Sequence, residues 1–293
     1  YRYVLCDFED DDFSATLRRS GFRQILAKDT FVHHFGGVTL NEVRTTHGNY
    51  KTIIEMRPVF QHKWGIDPWT SRGHLVFLEQ IIKDFSTGET PSRVLFIEPM
   101  FGEGLLTVRN HFRRLQTPVI IDAIVTREQY MMEAAYMADS VIRLTSLDHL
   151  PDRVNGTYDM VILGAFLNVV PISDIISFFK ETYGLLNAKG VLYVSLLNYN
   201  SFEHVMENLP NDVPHLIYDS ILPLNGERVF PVPRLVHALK KEFSNKSVWV
   251  GYGVQSHYFG DISLFEQTTN EILGASDDLH YLLSGDMVAL CIR

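Results

Sequence analysis

A glycine turn behind a short apolar run is the first feature of this chain that could do chemistry. Residues 94–97 are apolar, Glu98 follows them, and Gly102 and Gly104 come at the start of a helix-like stretch. Glycines let a backbone approach a ligand closely, and the free amides of a helix N-terminus face that ligand. The spacing indicates a nucleotide site, although two glycines also suit a tight turn between a strand and a helix.

An acidic run near the start of the chain is the second such feature. It consists of Glu9, Asp10, Asp11 and Asp12, and a basic stretch follows it. Carboxylates suit the positive end of a helix dipole. Taken alone, the run is therefore interpreted as the N-terminus of a helix.

The elements that must position these residues follow from an alternation of short β-rich runs with helical stretches. The predicted strands are residues 94–97, 119–124, 140–144, 159–163, 191–196, 247–251 and 287–292. The predicted helices between them are residues 105–115, 127–137, 172–186 and 233–243. Strands that alternate with helices of about 10 to 15 residues predict a parallel, doubly wound α/β sheet. Such a sheet binds its ligand beside the carboxyl ends of its strands, where the strand order reverses.

The segment before this alternation, residues 1–65, has too little apolar material to form a core of its own. Residues 66–73 contain Pro68, Ser71 and Gly73 and are predicted to be a linker. Because the chain starts at Tyr1 inside a strand-like run, we expect the natural protein to begin upstream.

Composition and charge argue against two classes of partner. The 26 basic and 35 acidic residues give a net charge of −9, whereas non-specific nucleic-acid binding needs a basic face. The apolar stretch from Met160 to Phe179 has polar residues at its middle, so we interpret it as a strand, a loop and a helix that do not span a membrane. Two distant cysteines, Cys6 and Cys291, are expected to be structural thiols in a reducing, cytoplasmic compartment.

The larger part of the chain, residues 72–293, resembles the class I S-adenosylmethionine-dependent methyltransferases. Residues 98–104 are similar to the first motif of that family, with Glu98 at the acidic position and Met100 where the first glycine is usual. The segments that resemble the fourth strand, the fifth strand with its preceding turn, and the closing antiparallel pair are residues 158–163, 185–195, 248–251 and 287–292. The resemblance implies a Rossmann-like, seven-stranded sheet that binds S-adenosylmethionine at Glu98, Gly102 and Gly104.

The same resemblance implies two further carboxylates that face the cofactor. The family's second strand ends in an acid for the ribose hydroxyls, but Val125 stands there, and Asp122 points to a different register. The acid for the adenine amino group falls near Ser146, with Asp148 two residues later. A buried group that loses its hydrogen-bond partner costs about 1 to 3 kcal/mol, so absent acids would weaken cofactor binding.

A general base for the acceptor is sought beside the carboxyl ends of the fourth and fifth strands. Four polar residues fall there: Asn168, Asn198, Tyr199 and His204. His204 is the candidate base, because histidine titrates closest to neutrality. Ordinary hydrogen bonding within a loop is the alternative role for each of them.

The first segment resembles the end of the catalytic domain of family 2 inverting glycosyltransferases. There an acidic pair begins a helix, a Gly-aromatic step follows, and a strand leads to a histidine on the metal side. The resemblance implies that Asp10 deprotonates the acceptor hydroxyl, with Glu9 and Asp12 orienting the helix and the acceptor. His33 or His34 would face the divalent metal of a sugar nucleotide.

The resemblance extends to Phe60, Lys63, Trp64 and Gly65, which are similar to the segment that closes that catalytic domain. Thr16 departs from it, since an arginine is frequent there. The nucleotide-binding strands and the metal-binding Asp-x-Asp element would lie upstream of Tyr1. The divalent metal and the sugar nucleotide are therefore expected only in the full-length parent.

The two resemblances together predict part of a glycan-building transferase. Residues 1–65 would be a glycosyltransferase fragment, 66–73 a linker, and 74–293 a domain that transfers a methyl group from S-adenosylmethionine to a sugar or related acceptor. Its partners would be a sugar nucleotide and a glycan acceptor. The alternative is a non-catalytic scaffold or binding domain, which the absent acids at Val125 and Ser146 favour. A dinucleotide-dependent oxidoreductase fits less well, because the turn lacks three spaced glycines.

Overall fold

Seven strands form one sheet in the computed structural model of the chain. The structure describes residues 8–25, 27, 29–33, 51–66, 75, 78–83, 91–164, 175–197, 232–252 and 287–293. The strands are β1 (Ser92–Ile97), β2 (Val119–Val125), β3 (Ser140–Arg143), β4 (Tyr158–Leu163), β5 (Leu186–Leu197), β6 (Val248–Tyr252) and β7 (Met287–Ile292). The α-helices are α1 (Glu9–Arg19), α2 (Lys51–Trp64), α3 (Leu78–Ile82), α4 (Glu103–Leu115), α5 (Met131–Met137), α6 (Ile175–Gly184) and α7 (Val232–Glu242).

The strand order of the sheet is β3-β2-β1-β4-β5-β7-β6. Neighbours from β3 to β5 pair in parallel, and β7 runs antiparallel to both β5 and β6. All seven predicted strands are therefore confirmed, and so is the antiparallel last strand. The order reverses between β1 and β4, which places the expected ligand crevice beside their carboxyl ends.

The central strands are buried on both faces of the sheet. Residues Val94 to Ile97 of β1 and Met160 to Leu163 of β4 are at most 2% exposed. Near-continuous apolar strands are typical of parallel sheets that helices cover on both sides. Helix α4 is one of the helices that cover the sheet, and its buried Leu105, Val108 and Phe112 recur at helical spacing.

The segment that resembles the turn and the fifth strand, residues 185–195, lies almost wholly in β5, and its residues 187–190 have no register partner in β4. The pairing of β5 with β4 shifts register between Tyr158 and Met160, as a β-bulge does. The Asn187 side chain donates a hydrogen bond of 2.8 Å to Asp159, which holds the bulge against β4. The ladder between β4 and β5 is therefore interrupted at residues 187–190 and resumes at Val191.

The first segment packs onto the sheet domain through apolar side chains. Phe8, Met56 and Phe60 belong to the same buried cluster as the central strands. The sequence pattern indicated α1 but not α2, which carries Pro58 in its interior. Residues 29–33 are irregular and exposed, so the strand expected to lead to His33 is wrong. A strand needs a pairing neighbour, and no strand of the described chain pairs with these residues. The division at residues 66–73 stays a prediction.

The apolar stretch from Met160 to Phe179 divides as expected where the structure describes it. Its start lies in β4 and its end in α6. Within the described ranges, no helix has both the length and the apolar character that crossing a membrane requires.

Candidate functional site

The turn after β1 has the backbone of a glycine turn. Glu98, Met100 and Gly102 have φ angles of +52°, +49° and +82°. Left-handed backbone favours glycine and costs other residues on the order of 1 to 3 kcal/mol, and it recurs at ligand sites. Met100 adopts this backbone where a glycine was expected, and its side chain is buried. The local conformation is therefore kept although one glycine is replaced.

The two glycines of the turn serve different purposes. Gly102 caps α4 with a left-handed backbone. A Cβ atom on Gly104 would lie 2.1 Å from a methyl of Leu75 and 2.5 Å from the ring of Phe96. Gly104 thus lets α4 pack closely against β1. The space beside its Cα is occupied by Leu75 and Phe96.

Glu98 is the buried polar group of this turn. Its side chain is 0% exposed. Its Oε1 accepts hydrogen bonds from the backbone N–H and the hydroxyl of Thr126, which follows β2. Its Oε2 has no hydrogen-bond partner among the described residues. Burial raises the pKa of Glu98, and the Thr126 hydroxyl and the charge of Arg127 oppose that shift.

Arg127 faces the unpartnered oxygen of Glu98. Its Nη2 lies 3.8 Å from Glu98 Oε2, which is too long for a hydrogen bond. Its Nε and Nη2 are buried and, within the described part of the chain, make no hydrogen bond. Its guanidinium stacks over the ring of Tyr130, 4.6 Å from the centroid. Glu98 and Arg127 thus form a buried ion pair that is not hydrogen-bonded in the described part of the chain.

The end of β2 lies where the sequence placed it, at the buried residue Val125. Asp122 lies three residues earlier, and its Oδ2 accepts hydrogen bonds from Arg93 at 3.0 Å and from the Tyr158 hydroxyl at 2.9 Å. Burial and this hydrogen bond both raise the pKa of Tyr158. Asp122 is thus engaged within the sheet, away from the carboxyl ends of the strands.

Ser146 and Asp148 lie in the exposed loop after β3. The Ser146 hydroxyl donates to the Asp148 carboxylate at 2.7 Å and accepts from its backbone N–H at 3.1 Å. The two residues form a local turn at the same edge of the sheet as Glu98. Their predicted contact with a cofactor stays a prediction.

The acidic run begins α1, as the helix-dipole argument predicts. Asp10 is exposed in the first turn. Asp12 accepts hydrogen bonds from Trp64 Nε1 at 2.7 Å and from Lys63 Nζ at 2.8 Å. Two separate parts of the glycosyltransferase resemblance, α1 and the end of α2, are thereby brought together.

The remaining residues of interest are dispersed or lie outside the described ranges. His33 is exposed, and Cys291 is buried. The residues outside the described ranges are Cys6, His34, Asn168, Asn198, Tyr199 and His204. Among the side chains that the structure describes, no three His, Cys, Asp or Glu residues are grouped as a metal site requires.

A second buried glutamate connects α1 to the sheet domain. Glu133 in α5 is paired with Arg18 and with Arg19, whose Nε lies 3.1 Å away. The Arg18 guanidinium also stacks over Phe101 of the glycine turn, 5.3 Å from the ring centroid. Helix α1 therefore packs against the turn that carries Glu98.

The sequence reasoning missed Thr126 and Arg127. Val125 stands where an acid was expected, and the two polar residues directly behind it were not predicted to belong to the site. The available signal was a hydroxyl and a guanidinium directly behind the end of an apolar strand. Side chains at that position in an α/β sheet lie beside the expected crevice.

No protein-family model matches the chain, and no curated protein matches it. Among solved structures, it is similar to a SAM-dependent methyltransferase from Archaeoglobus fulgidus, with 13% identity, a TM-score of 0.49, and coverage of 80% of this chain and 97% of that chain. It is also similar to a possible histamine N-methyltransferase from Thermotoga maritima, with 12% identity, a TM-score of 0.44, and coverage of 83% and 97%. A third structure, the plantazolicin methyltransferase BpumL in complex with SAH, has 16% identity, a TM-score of 0.43, and coverage of 88% and 91%.

All three neighbours are methyltransferases by name, and the TM-scores are below 0.5. The fold, an α/β domain with a seven-stranded mixed sheet, is accordingly assigned from its strand order and its antiparallel last strand. These neighbours give no support to a glycosyltransferase segment in residues 1–65. A shared fold hosts many functions, so function must be argued from the site.

Proposed function

We propose that the sheet domain binds S-adenosylmethionine beside the carboxyl ends of β1 and β2 and transfers its methyl group to an acceptor. The observation that carries this proposal is Glu98, a buried carboxylate at the point where the strand order reverses, whose Oε2 has no hydrogen-bond partner among the described residues. A buried oxygen without a partner costs about 1 to 3 kcal/mol. A ligand hydroxyl or amine that donates to it recovers that energy.

The donors and acceptors of the turn fit such a cofactor in part. Glu98 offers a buried acceptor, and the amides at the start of α4 face the same edge of the sheet. The acid expected after β2 is absent, since Val125 ends the strand and Thr126 and Arg127 follow. Polar groups of the ribose therefore have to be met by residues other than the usual acid.

When bound, S-adenosylmethionine supplies an electrophilic methyl group next to a positive sulfur. In methyl transfer the main role of the protein is to hold the acceptor oxygen or nitrogen in line with that methyl group. The acceptor loses a proton as the new bond to carbon forms. We assign the uptake of this proton to His204.

Isothermal titration with S-adenosylmethionine and S-adenosylhomocysteine tests the proposal. Both ligands are expected to bind the chain, and Glu98→Gln is expected to weaken binding about tenfold, which corresponds to about 1.4 kcal/mol. Glu128→Gln is the matched control, because Glu128 is 75% exposed on the neighbouring turn. Absence of binding to the folded chain at millimolar ligand would overturn the proposal.

We also propose that residues 1–65 are the end of a family 2 glycosyltransferase domain within a glycan-building, cytoplasmic transferase. The supporting observation is the pair of hydrogen bonds from Lys63 and Trp64 to Asp12, which join the two parts of the resemblance. Asp10 then lies exposed in the first turn of α1, where an acceptor hydroxyl can reach it. His33 and His34 would meet the divalent metal of the sugar nucleotide only when the upstream half is present.

The full-length parent is the protein in which to test the glycosyltransferase assignment. Asp10→Asn is expected to abolish sugar transfer and to leave sugar-nucleotide binding intact, because it removes a base and not a binding group. Asp11→Asn, a neighbouring exposed acid of the same turn, is the control and should retain activity. Unchanged turnover in Asp10→Asn would exclude Asp10 as the base.

A non-catalytic scaffold is the second candidate function. It is favoured by the buried side chain of Met100 at the first glycine position and by the packing of Gly104 against Phe96. Both features fill space that a cofactor turn usually leaves for a ligand. A folded chain that binds neither cofactor form would support the scaffold.

A further inference from the structure

A pocket of about 470 Å³ lies at the edge of the sheet opposite the glycine turn. Its walls include Val119, the first residue of β2, and Asp139, which directly precedes β3. Since the glycine turn lies at the carboxyl ends of the parallel strands, the length of β2, about 20 Å, separates the two places. Pockets of about 300 to 1,000 Å³ have the size that binds small molecules. The pocket is therefore separate from the crevice proposed for S-adenosylmethionine.

Three arginines from two parts of the chain line this pocket: Arg23, Arg109 and Arg113. Arg109 and Arg113 are four residues apart in α4 and so share one face of that helix. Arg23 belongs to the segment that follows α1. Tyr136, which also lines the pocket, holds that segment there, because its hydroxyl donates a hydrogen bond of 2.8 Å to the Phe22 carbonyl. The pocket is thus formed where the first segment meets the sheet domain.

Arg109 has a structural role at the pocket. Its Nη2 donates to the Met137 carbonyl at 2.7 Å and to Asp139 Oδ2 at 2.9 Å, and its Nη1 donates to the Val119 carbonyl at 3.4 Å. Helix α5 ends at Met137, and the carbonyl end of a helix favours a cation. The charge of Arg109 is therefore compensated by the aspartate and by the helix end.

Arg23 and Arg113 are not used in this way. Both are exposed. Among the described residues neither forms an ion pair, and the hydrogen bond of Arg113 goes to Asn110 of its own helix at 3.4 Å. Arg113 suits the end of α4, but like charges four residues apart on a helix repel, and the helix dipole does not account for Arg23. Three arginines and one aspartate leave the pocket an excess of two positive charges in a chain of net charge −9.

The charge and the shape of the guanidinium groups favour a phosphate group over other anions. Each guanidinium presents a fork of donors that binds two oxygens of a phosphate at once. A phosphate ester carries a charge of about −1.5 to −2 near neutral pH, which matches the two uncompensated arginines, whereas a carboxylate carries one charge. A free phosphate ion is much smaller than the pocket, so an organic part is needed to fill the rest.

We propose that this pocket binds a small phosphate ester, with the phosphate group between Arg23 and Arg113 and the organic part over Pro118 and Met137, which also line it. This site is independent of the proposed binding of S-adenosylmethionine. It gives the contact between the first segment and the sheet domain a ligand of its own.

Titration calorimetry of the whole chain with phenyl phosphate at low ionic strength tests the proposal. Phenyl phosphate is expected to bind, and Arg23→Ala and Arg113→Ala are each expected to weaken its binding about tenfold. Inorganic phosphate should bind several times more weakly, because it lacks the organic part. Phenyl sulfate, which has a similar shape but one negative charge, should also bind more weakly.

Arg114→Ala is the matched control. Arg114 follows Arg113 in α4, its side chain is 61% exposed, and it is paired with Glu79 at 3.5 Å outside the pocket lining. The variant removes the same charge from the same helix and should leave the affinity for phenyl phosphate unchanged. Circular dichroism checks that each variant is folded, which is expected because all three arginines are exposed.

Four outcomes would overturn the proposal. The first is no binding of phenyl phosphate at millimolar concentration. The second is unchanged affinity in Arg23→Ala or in Arg113→Ala, which would place the ligand elsewhere. The third is an equal loss in Arg114→Ala, which would show an effect of overall charge only. The fourth is equal affinity for inorganic phosphate, which would remove the organic part from the assignment. None of them bears on S-adenosylmethionine, because its crevice lies at the other edge of the sheet.

Discussion

Two buried glutamates beside the glycine turn have opposite surroundings. Glu98 and Glu133 are 1% and 2% exposed. Glu133 is paired with Arg18 and Arg19 from α1. Glu98 has one oxygen hydrogen-bonded by Thr126, and the other faces Arg127 at 3.8 Å with no hydrogen bond in the described chain. Burial alone therefore does not separate a structural carboxylate from a ligand-binding one.

The difference lies in what each carboxylate still lacks. Two guanidinium groups compensate the charge of Glu133, and the pair holds α1 against the domain. The charge of Glu98 faces one guanidinium at 3.8 Å, beyond hydrogen-bond reach. A buried carboxylate whose pKa is raised by desolvation and whose hydrogen-bond capacity is partly unused is a candidate for a functional site.

Removal of Glu133 should have the largest effect on stability. Glu133→Ala leaves Arg18 and Arg19 without their shared partner, and loss of one member of a buried pair costs about 3 to 5 kcal/mol. Both arginine side chains are about one fifth exposed, so we expect a loss at the low end of this range, about 3 kcal/mol in the free energy of unfolding. Urea unfolding measures it. Glu128→Ala, which breaks an exposed pair, should cost at most about 1 kcal/mol. Equal losses in the two variants would show that Glu133 is no more structural than a surface residue.

Replacement of Gly104 should give the next largest effect. A Cβ atom there meets Leu75 and Phe96 well inside van der Waals contact, so Gly104→Val should overpack the contact of α4 with β1. Overpacking costs about 1 to 3 kcal/mol, measured as a lower free energy of unfolding. Gly184→Ala, with no atom within 4 Å of the added Cβ, should be nearly neutral. A Gly104→Val variant that keeps its stability and loses only cofactor affinity would place this glycine on the ligand side of the turn.

The sheet was predictable because buried parallel strands appear as short apolar runs. Val94 to Ile97 is such a run, and helices separate it from the next strands. Helix α2 was missed because Pro58 is typical of a helix end, whereas packing of Phe60 in the core stabilises the helix across it. The bulge of β5 depends on the bond from Asn187 to Asp159, which joins two strands and leaves no local pattern.

Only the part of the candidate site that follows β1 was predictable from the sequence. Glu98 could be recognised from its place before two glycines. Arg127 could be recognised only as a polar residue behind the end of β2, because its ion pair with Glu98 joins two strand ends that are 29 residues apart in the sequence. Which side chains meet beside the ends of β1 and β2 depends on the parallel pairing of the two strands, which the local sequence pattern does not specify.

The pH dependence of stability should separate Glu98 from other carboxylates. The pKa of Glu98 is raised above its ordinary value of 4.5, so the folded state holds this proton more tightly than the unfolded state. Its contribution to stability is then fully present below about 4.5 and is lost as pH rises through the raised pKa. Glu98→Gln removes this loss, so the variant should gain stability relative to the unmodified chain as pH rises above 4.5. Urea unfolding across this pH range measures the difference. A difference that does not change with pH would show that Glu98 is not held in a desolvated site.

The smallest effect is expected from Asp122→Asn on cofactor affinity. Asp122 lies three residues before the end of β2, and Arg93 and Tyr158 already occupy its carboxylate. The substitution should lower the free energy of unfolding by about 0.5 to 1.5 kcal/mol, because it weakens these hydrogen bonds. The affinity for S-adenosylhomocysteine should stay within error of the unmodified chain, since the carboxylate points into the sheet and not toward the ends of the strands. Titration calorimetry of Asp122→Asn and Glu98→Gln with S-adenosylhomocysteine compares the two losses of affinity. If Asp122→Asn reduced the affinity more than Glu98→Gln does, Asp122 would be the acid that binds the ribose. The carboxylate that distinguishes the binding site would then lie in β2 and not at the end of β1.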